Sequence, residues 1–97
     1  MTTVVARVRR YGYEIELDGH AEGKDPRICT AISTLTSALE LYCANHKVKY
    51  NVVKKSGYFK IRFSGNRKEC KTLFDFVIFA LYEIQHDFEG YVNVKQG

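Results

Sequence analysis

Apolar and polar residues alternate along the first part of the chain. Tyr13, Ile15 and Leu17 are separated by acidic residues, which is the two-residue period of a half-buried strand. A Tyr-Gly pair just before them suits a tight turn. The pattern predicts a β-hairpin with these three apolar side chains on one face. Its strands cover residues 3–10 and 13–18.

A helix is predicted to begin abruptly after a loop at residues 19–25. Asp25 is a suitable N-cap, and Pro26 fits the first helical position, where a missing N–H costs nothing. Apolar residues then recur at steps of three and four as far as about His46. They are Ile28, Ile32, Leu35, Leu39 and Tyr42. Cys29 lies about 100° around the helix from the first of them, at the edge of this apolar stripe, with Ser33 one turn further along.

A second hairpin and a second helix follow. The predicted strands are residues 48–54 and 58–63, the helix is 67–88, and a last strand is 91–95. Asn66 and Glu69 have the spacing of a capping box at the helix start.

The second helix is apolar around much of its circumference. Its predicted core stripe is Leu73, Val77, Leu81, Ile84 and Phe88, and further apolar surface comes from Phe74, Phe76, Ile78 and Phe79. Such a helix is either deeply buried or shared with a partner. In a chain of 97 residues we expect the partner, a homodimer through this helix.

The element order ββαββαβ predicts an α+β fold. Two hairpins and short connections indicate an antiparallel sheet with both helices packed on one face. The length suits a single domain over residues 1–97.

Composition and charge limit which classes of protein the chain can belong to. The chain is 45% hydrophobic and carries a net charge of +4, which permits contact with RNA, although scattered cations on strands also suit plain solvated faces. Three cysteines without a C-x-x-C pair, a signal peptide or a membrane-length apolar run indicate reduced thiols in the cytoplasm. Nothing in the sequence predicts a metal or another cofactor.

Cys29 and His20 are the candidate chemical pair. A thiolate is the nucleophilic form of cysteine, and the first turn of a helix favours an anion. His20 lies on the loop that leads into this helix, where an imidazole can accept the thiol proton. The simpler alternatives are a small residue at the core edge and a surface histidine. Cys70, also near a helix start, is a rival thiol.

Two short motifs resemble the ribosomal-processing cysteine protease (Prp) family. Gly19-His20-Ala21 follows the second strand, and Cys29-Thr30-Ala31-Ile32-Ser33 opens the helix. The order of strands and helices, including the closing Tyr-Val-x-Val, is similar over the whole chain.

This resemblance implies a homodimeric cysteine protease that removes an N-terminal extension from the large-subunit ribosomal protein L-twenty-seven. It implies His20 as general base, Cys29 as nucleophile and Ser33 as an orienting residue. The loop is implied to cover the site as a mobile substrate loop, with the residues Gly19, Ala21, Glu22, Gly23 and Lys24. The chain departs from the family in a shorter loop and in the position of its aspartate, since Asp25 lies one residue earlier; it serves either that role or only the helix cap.

The sequence is also compatible with three other functions. One is a protease of the same type with a different protein substrate. Another is a non-catalytic, ribosome- or RNA-associated homodimeric binding module, and the last is a structural or regulatory homodimer in which Cys29 is buried and inert.

Overall fold

The computed structural model describes residues 1–19 and 26–97 of the chain. These residues form two hairpins, two helices and a closing strand, in the predicted order. The elements are β1 (Thr2–Arg9), β2 (Gly12–Asp18), α1 (Pro26–Asn45), β3 (Lys49–Lys55), β4 (Tyr58–Ser64), α2 (Arg67–Asp87) and β5 (Val92–Gln96). The predicted α+β fold is confirmed.

The five strands form one mixed sheet in the order β3-β4-β2-β1-β5. β1 with β2, β2 with β4, and β3 with β4 are antiparallel, as expected for the two hairpins. β5 is parallel to β1, with Thr2 opposite Val92, so the sheet is not wholly antiparallel. The reason is that β5 follows a helical crossover from β4, and a crossover of this kind returns the chain in its original direction.

Both helices are crossovers between parallel strands. α1 joins β2 to β3, and α2 joins β4 to β5, in opposite directions across the sheet. Because β2 and β4 are antiparallel, the preference for right-handed crossovers puts both helices on the same face. There α1 and α2 contact each other, as the sequence predicts.

The core lies between this face and the helices. It includes Ile15 and Leu17, as the alternation predicts, and the half-buried Tyr13 stacks on Phe63 with ring centroids 5.7 Å apart. The other buried apolar residues of the strands are Val4, Ala6, Ile61, Val92 and Val94.

The buried face of α2 differs from the predicted stripe. Phe74 and Ile78 belong to the core, whereas Leu73 and Ile84 are only partly buried. α2 contacts β2, β4 and β5 on one side and α1 on the other, so its apolar surface is divided between the sheet and the neighbouring helix. Neither helix in the described part of the chain combines the length and apolar character needed to cross a membrane.

Asn66 caps α2 as predicted, because its side chain accepts a hydrogen bond of 2.9 Å from the Glu69 N–H. The Glu69 carboxylate accepts a hydrogen bond of 2.5 Å from the Tyr42 hydroxyl. This contact ties α2 to α1.

Glu14 is buried on the sheet face that carries no helix, with only 1% of its side chain exposed. It lies on the central strand β2 and accepts hydrogen bonds from Arg7, Arg9 and Arg62 on the two flanking strands. Burial favours the protonated acid, but these bonds outweigh it and hold the pKa of Glu14 at about 2. The alternation alone does not predict this buried charge.

Candidate active site

Cys29 is the fourth residue of α1 and is exposed to solvent. The N–H groups in the first turn of a helix have no acceptor within it, and the helix dipole adds partial positive charge there. No acidic residue lies in this first turn to oppose that charge. The sulfur therefore belongs to a turn that favours an anion.

A cavity of about 330 Å³ opens beside Cys29. It is lined by the first turns of α1, by the start of β1 with the end of β2, and by the turn of the second hairpin. The lining residues are Cys29, Ile32, Ser33, Thr36 and Ser37; Thr2, Leu17 and Gly19; and Lys54, Lys55, Gly57, Tyr58 and Phe59. Cys29, Ser33 and Gly19, which the sequence groups into one site, thus line the same cavity.

Part of the cavity wall is apolar. Leu17 is buried, and Ile32 and Phe59 pack against the core. Two cations lie among the other lining residues: Lys54 pairs with Glu40 at 2.7 Å, and Lys55 is exposed. The space beside the sulfur therefore suits an apolar group, with cationic side chains nearby.

Tyr58, another of the lining residues, is hydrogen-bonded to Glu16. Its hydroxyl donates a hydrogen bond to that carboxylate across the β2–β4 pair. This bond and partial burial raise the pKa of Tyr58 above its ordinary value, because the carboxylate stabilises the protonated phenol. The ring consequently has a fixed partner on the sheet.

Gly19 connects this cavity to the loop that follows β2. Its φ of +105° favours glycine, and a Cβ there would lie 2.3 Å from the Met1 carbonyl oxygen. Its N–H donates to the Gly57 oxygen at 2.8 Å, so the chain is tied to the second hairpin directly before His20. A larger residue at this position would displace the strand end.

Ser33 is exposed in the cavity, one helical turn after Cys29. Its hydroxyl has no hydrogen-bond partner among the described residues. The neighbouring Thr36 hydroxyl instead donates to the Ile32 carbonyl at 3.0 Å. Of these two hydroxyls, only that of Ser33 has no hydrogen-bond partner within residues 1–19 and 26–97.

The other two cysteines are buried. Burial raises the pKa of Cys43 to about 11, with smaller contributions from Cys70 and Glu69. Burial also raises the pKa of Cys70, as does the nearby Glu69 carboxylate. Although Cys70 lies near the start of α2, it is 1% exposed, which removes it as a rival nucleophile in the folded protein.

Several predicted site residues lie outside the described residues. They are His20, Ala21, Glu22, Gly23, Lys24 and Asp25. Conversely, the sequence did not predict the wall formed by Lys55, Tyr58 and Phe59. The pairing of β4 with β2 brings this hairpin to the cavity, and no local sequence signal specifies that pairing.

One group of potential metal ligands occurs near the end of α2. Glu83, His86 and Asp87 have ligand atoms within 4.8 Å of one another, and all three residues are exposed. His86 and Asp87 already pair at 3.5 Å. An exposed group of this kind needs no ion to explain it.

No family model matches the sequence, and no curated protein is similar to it in sequence. Solved structures do match. The ribosomal-processing protease Prp of S. aureus with a covalently linked product peptide has a TM-score of 0.83 at 17% identity, covering 100% of both chains. The same protease with a substrate peptide has a TM-score of 0.82 at 16% identity, again over 100% of both chains. A protein of Streptococcus mutans has a TM-score of 0.72 at 18% identity, over 99% of this chain and 93% of that one.

The chain therefore has the fold of a ribosomal-processing protease over its full length, which confirms the structural resemblance noted in the sequence. At 16–18% identity this similarity concerns the fold.

Proposed function

We propose that this chain is a cysteine endopeptidase of the cytoplasm, which removes the N-terminal extension of the ribosomal protein L-twenty-seven. The observation that carries the proposal is the position of Cys29, exposed in the opening turn of α1 and open to a cavity. The fold supports it, since a protease of the same fold has been solved with substrate and product peptides. No disulfide joins the three cysteines, which agrees with a reducing compartment.

In this proposal Cys29 is the nucleophile and His20 the general base. His20 takes the thiol proton, and the thiolate attacks the carbonyl carbon of the scissile peptide bond. Free N–H groups of the first turn of α1 stabilise the resulting oxyanion. His20 then returns the proton to the leaving amine, which leaves a thioester on Cys29. Water, deprotonated by His20, hydrolyses this thioester.

We expect the cavity to bind an extended, partly apolar segment of the substrate. Leu17, Ile32 and Phe59 offer an apolar surface beside Cys29 for one substrate side chain. Ser33, one turn from the sulfur, is placed to hydrogen-bond the substrate backbone or a catalytic group. Lys55 adds a positive charge nearby.

The loop between β2 and α1 completes the proposed site. Gly19 and residues 21–24 act as the substrate loop, and Asp25 either orients a catalytic group or caps α1. Gly19 supports the first of these assignments, because it lines the cavity and is tied to Gly57 at the edge of the loop.

The direct test is incubation of the purified protein with L-twenty-seven carrying its N-terminal extension, read by intact mass spectrometry. A single cleavage that shortens the protein at its N-terminus supports the proposal. If L-twenty-seven stays intact but another tailed protein of the same organism is cleaved, the chain is a peptidase with a different substrate. No cleavage of any tailed protein would contradict the proposal.

We also propose that the chain is a homodimer through α2. Phe76 and Phe79 are 69% and 72% exposed on this helix. Beside them, an apolar groove of about 600 Å³ runs between the helices, lined in part by Leu35, Leu73 and Phe76. A second copy of the same face supplies the apolar side chains that such a groove needs.

Phe76→Glu is expected to convert the dimer to a monomer, because it puts a charge into the proposed apolar interface. Analytical ultracentrifugation measures the change. Val8→Glu is a matched control, since Val8 is also 69% exposed but lies on β1. A wild-type protein that is monomeric at assay concentrations, or equal dissociation of both variants, would contradict this interface.

A further inference from the structure

A second concave surface lies at the end of the sheet opposite Cys29. The Cys29 cavity is at the sheet end where Asp18 pairs with Tyr58, whereas this surface is at the end where Tyr13 pairs with Phe63. Its volume is about 630 Å³. We call it the basic concavity and define it by Arg9, Arg10, Tyr11, Lys49, Tyr50 and Arg62.

The basic concavity is strongly cationic. Four of its six defining residues carry a positive charge, and no carboxylate is among the described residues that line it. Positive charge gathered in a concave surface attracts a ligand with several negative charges. The ligand class is therefore a polyanion.

The side chains of Arg9 and Arg62 are fixed by hydrogen bonds to a buried acid. The buried Glu14 carboxylate accepts from Arg62 at 2.6 Å and from Arg9 at 3.0 Å. Glu14 thereby orders both guanidinium groups while Arg10 and Lys49 add charges that no described acid pairs. Preorganised arginines lose less side-chain freedom when they bind phosphate oxygens.

An exposed aromatic ring accompanies these cations. Tyr11 is 80% exposed at the β1–β2 turn, and the Arg10 guanidinium lies 5.4 Å from its ring centroid. Tyr50 is 42% exposed on the edge strand β3, but it pairs with Phe63 and therefore lies on the helix side of the sheet, on the other face from Arg62. Aromatic faces beside cations are what unpaired bases stack on, whereas an acidic peptide needs no such rings.

We propose that the basic concavity binds a single-stranded segment of nucleic acid. Arg10 and Lys49 contact phosphates, and Tyr11 stacks on a base. This site is independent of the proposed peptidase, because Cys29 lies at the other end of the sheet. Binding near RNA would bring a peptidase to a ribosomal substrate, but the inference does not require that activity.

The first test compares two charge-matched double variants by fluorescence anisotropy with labelled oligouridylate and oligodeoxyuridylate. Arg10→Gln/Lys49→Gln is expected to weaken binding about tenfold and to lower the salt slope by about 1.4, at about 0.7 per lost phosphate contact. Lys71→Gln/Lys95→Gln removes the same charge from α2 and β5 and is expected to change the affinity less than about twofold. Tighter binding of either oligomer supports the site and shows whether it prefers ribose or deoxyribose.

The second test separates stacking from charge. Tyr11→Ala is expected to weaken binding about fivefold, while Tyr11→Phe retains it because the ring remains. Tyr50→Ala removes a ring from the other face of the sheet and is expected to leave the affinity unchanged. Cys29→Ala should bind as the wild type does, so failure of the peptidase proposal leaves this result unaffected. Equal weakening by both charge variants, polyglutamate binding as tight as the oligonucleotides, or no binding at about 0.1 M salt would overturn the inference.

Discussion

Replacement of Cys29 by alanine is expected to reduce cleavage of tailed L-twenty-seven by at least about a thousandfold. The variant lacks the sulfur that forms the thioester, while the free N–H groups of α1 remain. Since Cys29 is exposed, the fold should not change. The measurement is the initial rate of product formation by mass spectrometry, with circular dichroism to verify folding.

Cys70→Ala is the matched control for this prediction. Cys70 also lies near a helix start, but it is buried in the core. Its replacement is expected to lower the free energy of unfolding by about 1 kcal/mol and to leave the cleavage rate near that of the wild type. Cleavage retained in Cys29→Ala, or lost in Cys70→Ala with an intact fold, would remove Cys29 as the nucleophile.

Glu14→Gln is expected to lower the free energy of unfolding by on the order of 3 kcal/mol at neutral pH. The change leaves Arg7, Arg9 and Arg62 around a neutral amide in a position that is 1% exposed. Urea denaturation followed by circular dichroism measures this loss. Glu16→Gln is the control on the same strand and should cost less than about 1 kcal/mol, because its side chain is 24% exposed.

The pH dependence of stability gives the same prediction a second readout. The pKa of Glu14 is about 2 in the folded protein, below its ordinary value of 4.5, so the folded state favours the charged form. Its contribution is fully present above pH 4.5 and is lost as the pH falls toward about 2. Stability of Glu14→Gln should therefore fall less steeply than wild type over this range. Parallel curves would show that the arginines do not stabilise the Glu14 charge.

Much of the fold is predictable from local pattern. The alternation around Ile15 and the apolar stripe of α1 predict their elements because each needs only one buried face. The parallel pairing of β5 depends on how α2 crosses the sheet, and no residue of β5 encodes that. Burial of Glu14 likewise requires Arg7 and Arg62 from neighbouring strands, which only the strand order brings together.

Local sequence pattern likewise predicts only part of the candidate site. The spacing from Cys29 to Ser33 is one helical turn, so their common cavity follows from helix geometry. The wall from Tyr58 and Phe59 is more than twenty residues away along the chain and depends on β4 pairing with β2. The roles of His20 and Asp25 remain predictions, since both lie outside the described residues.

Activation of Cys29 by His20 is tested without any substrate by the rate at which Cys29 is alkylated. Wild type and His20→Ala are treated with iodoacetamide at pH 7, and labelling of each cysteine is followed by peptide mass spectrometry. The thiolate is the form of cysteine that iodoacetamide alkylates, so removal of an imidazole that accepts the thiol proton lowers the rate. We predict that His20→Ala slows alkylation of Cys29 by about tenfold or more. Equal rates in the two folded proteins would show that His20 does not activate Cys29.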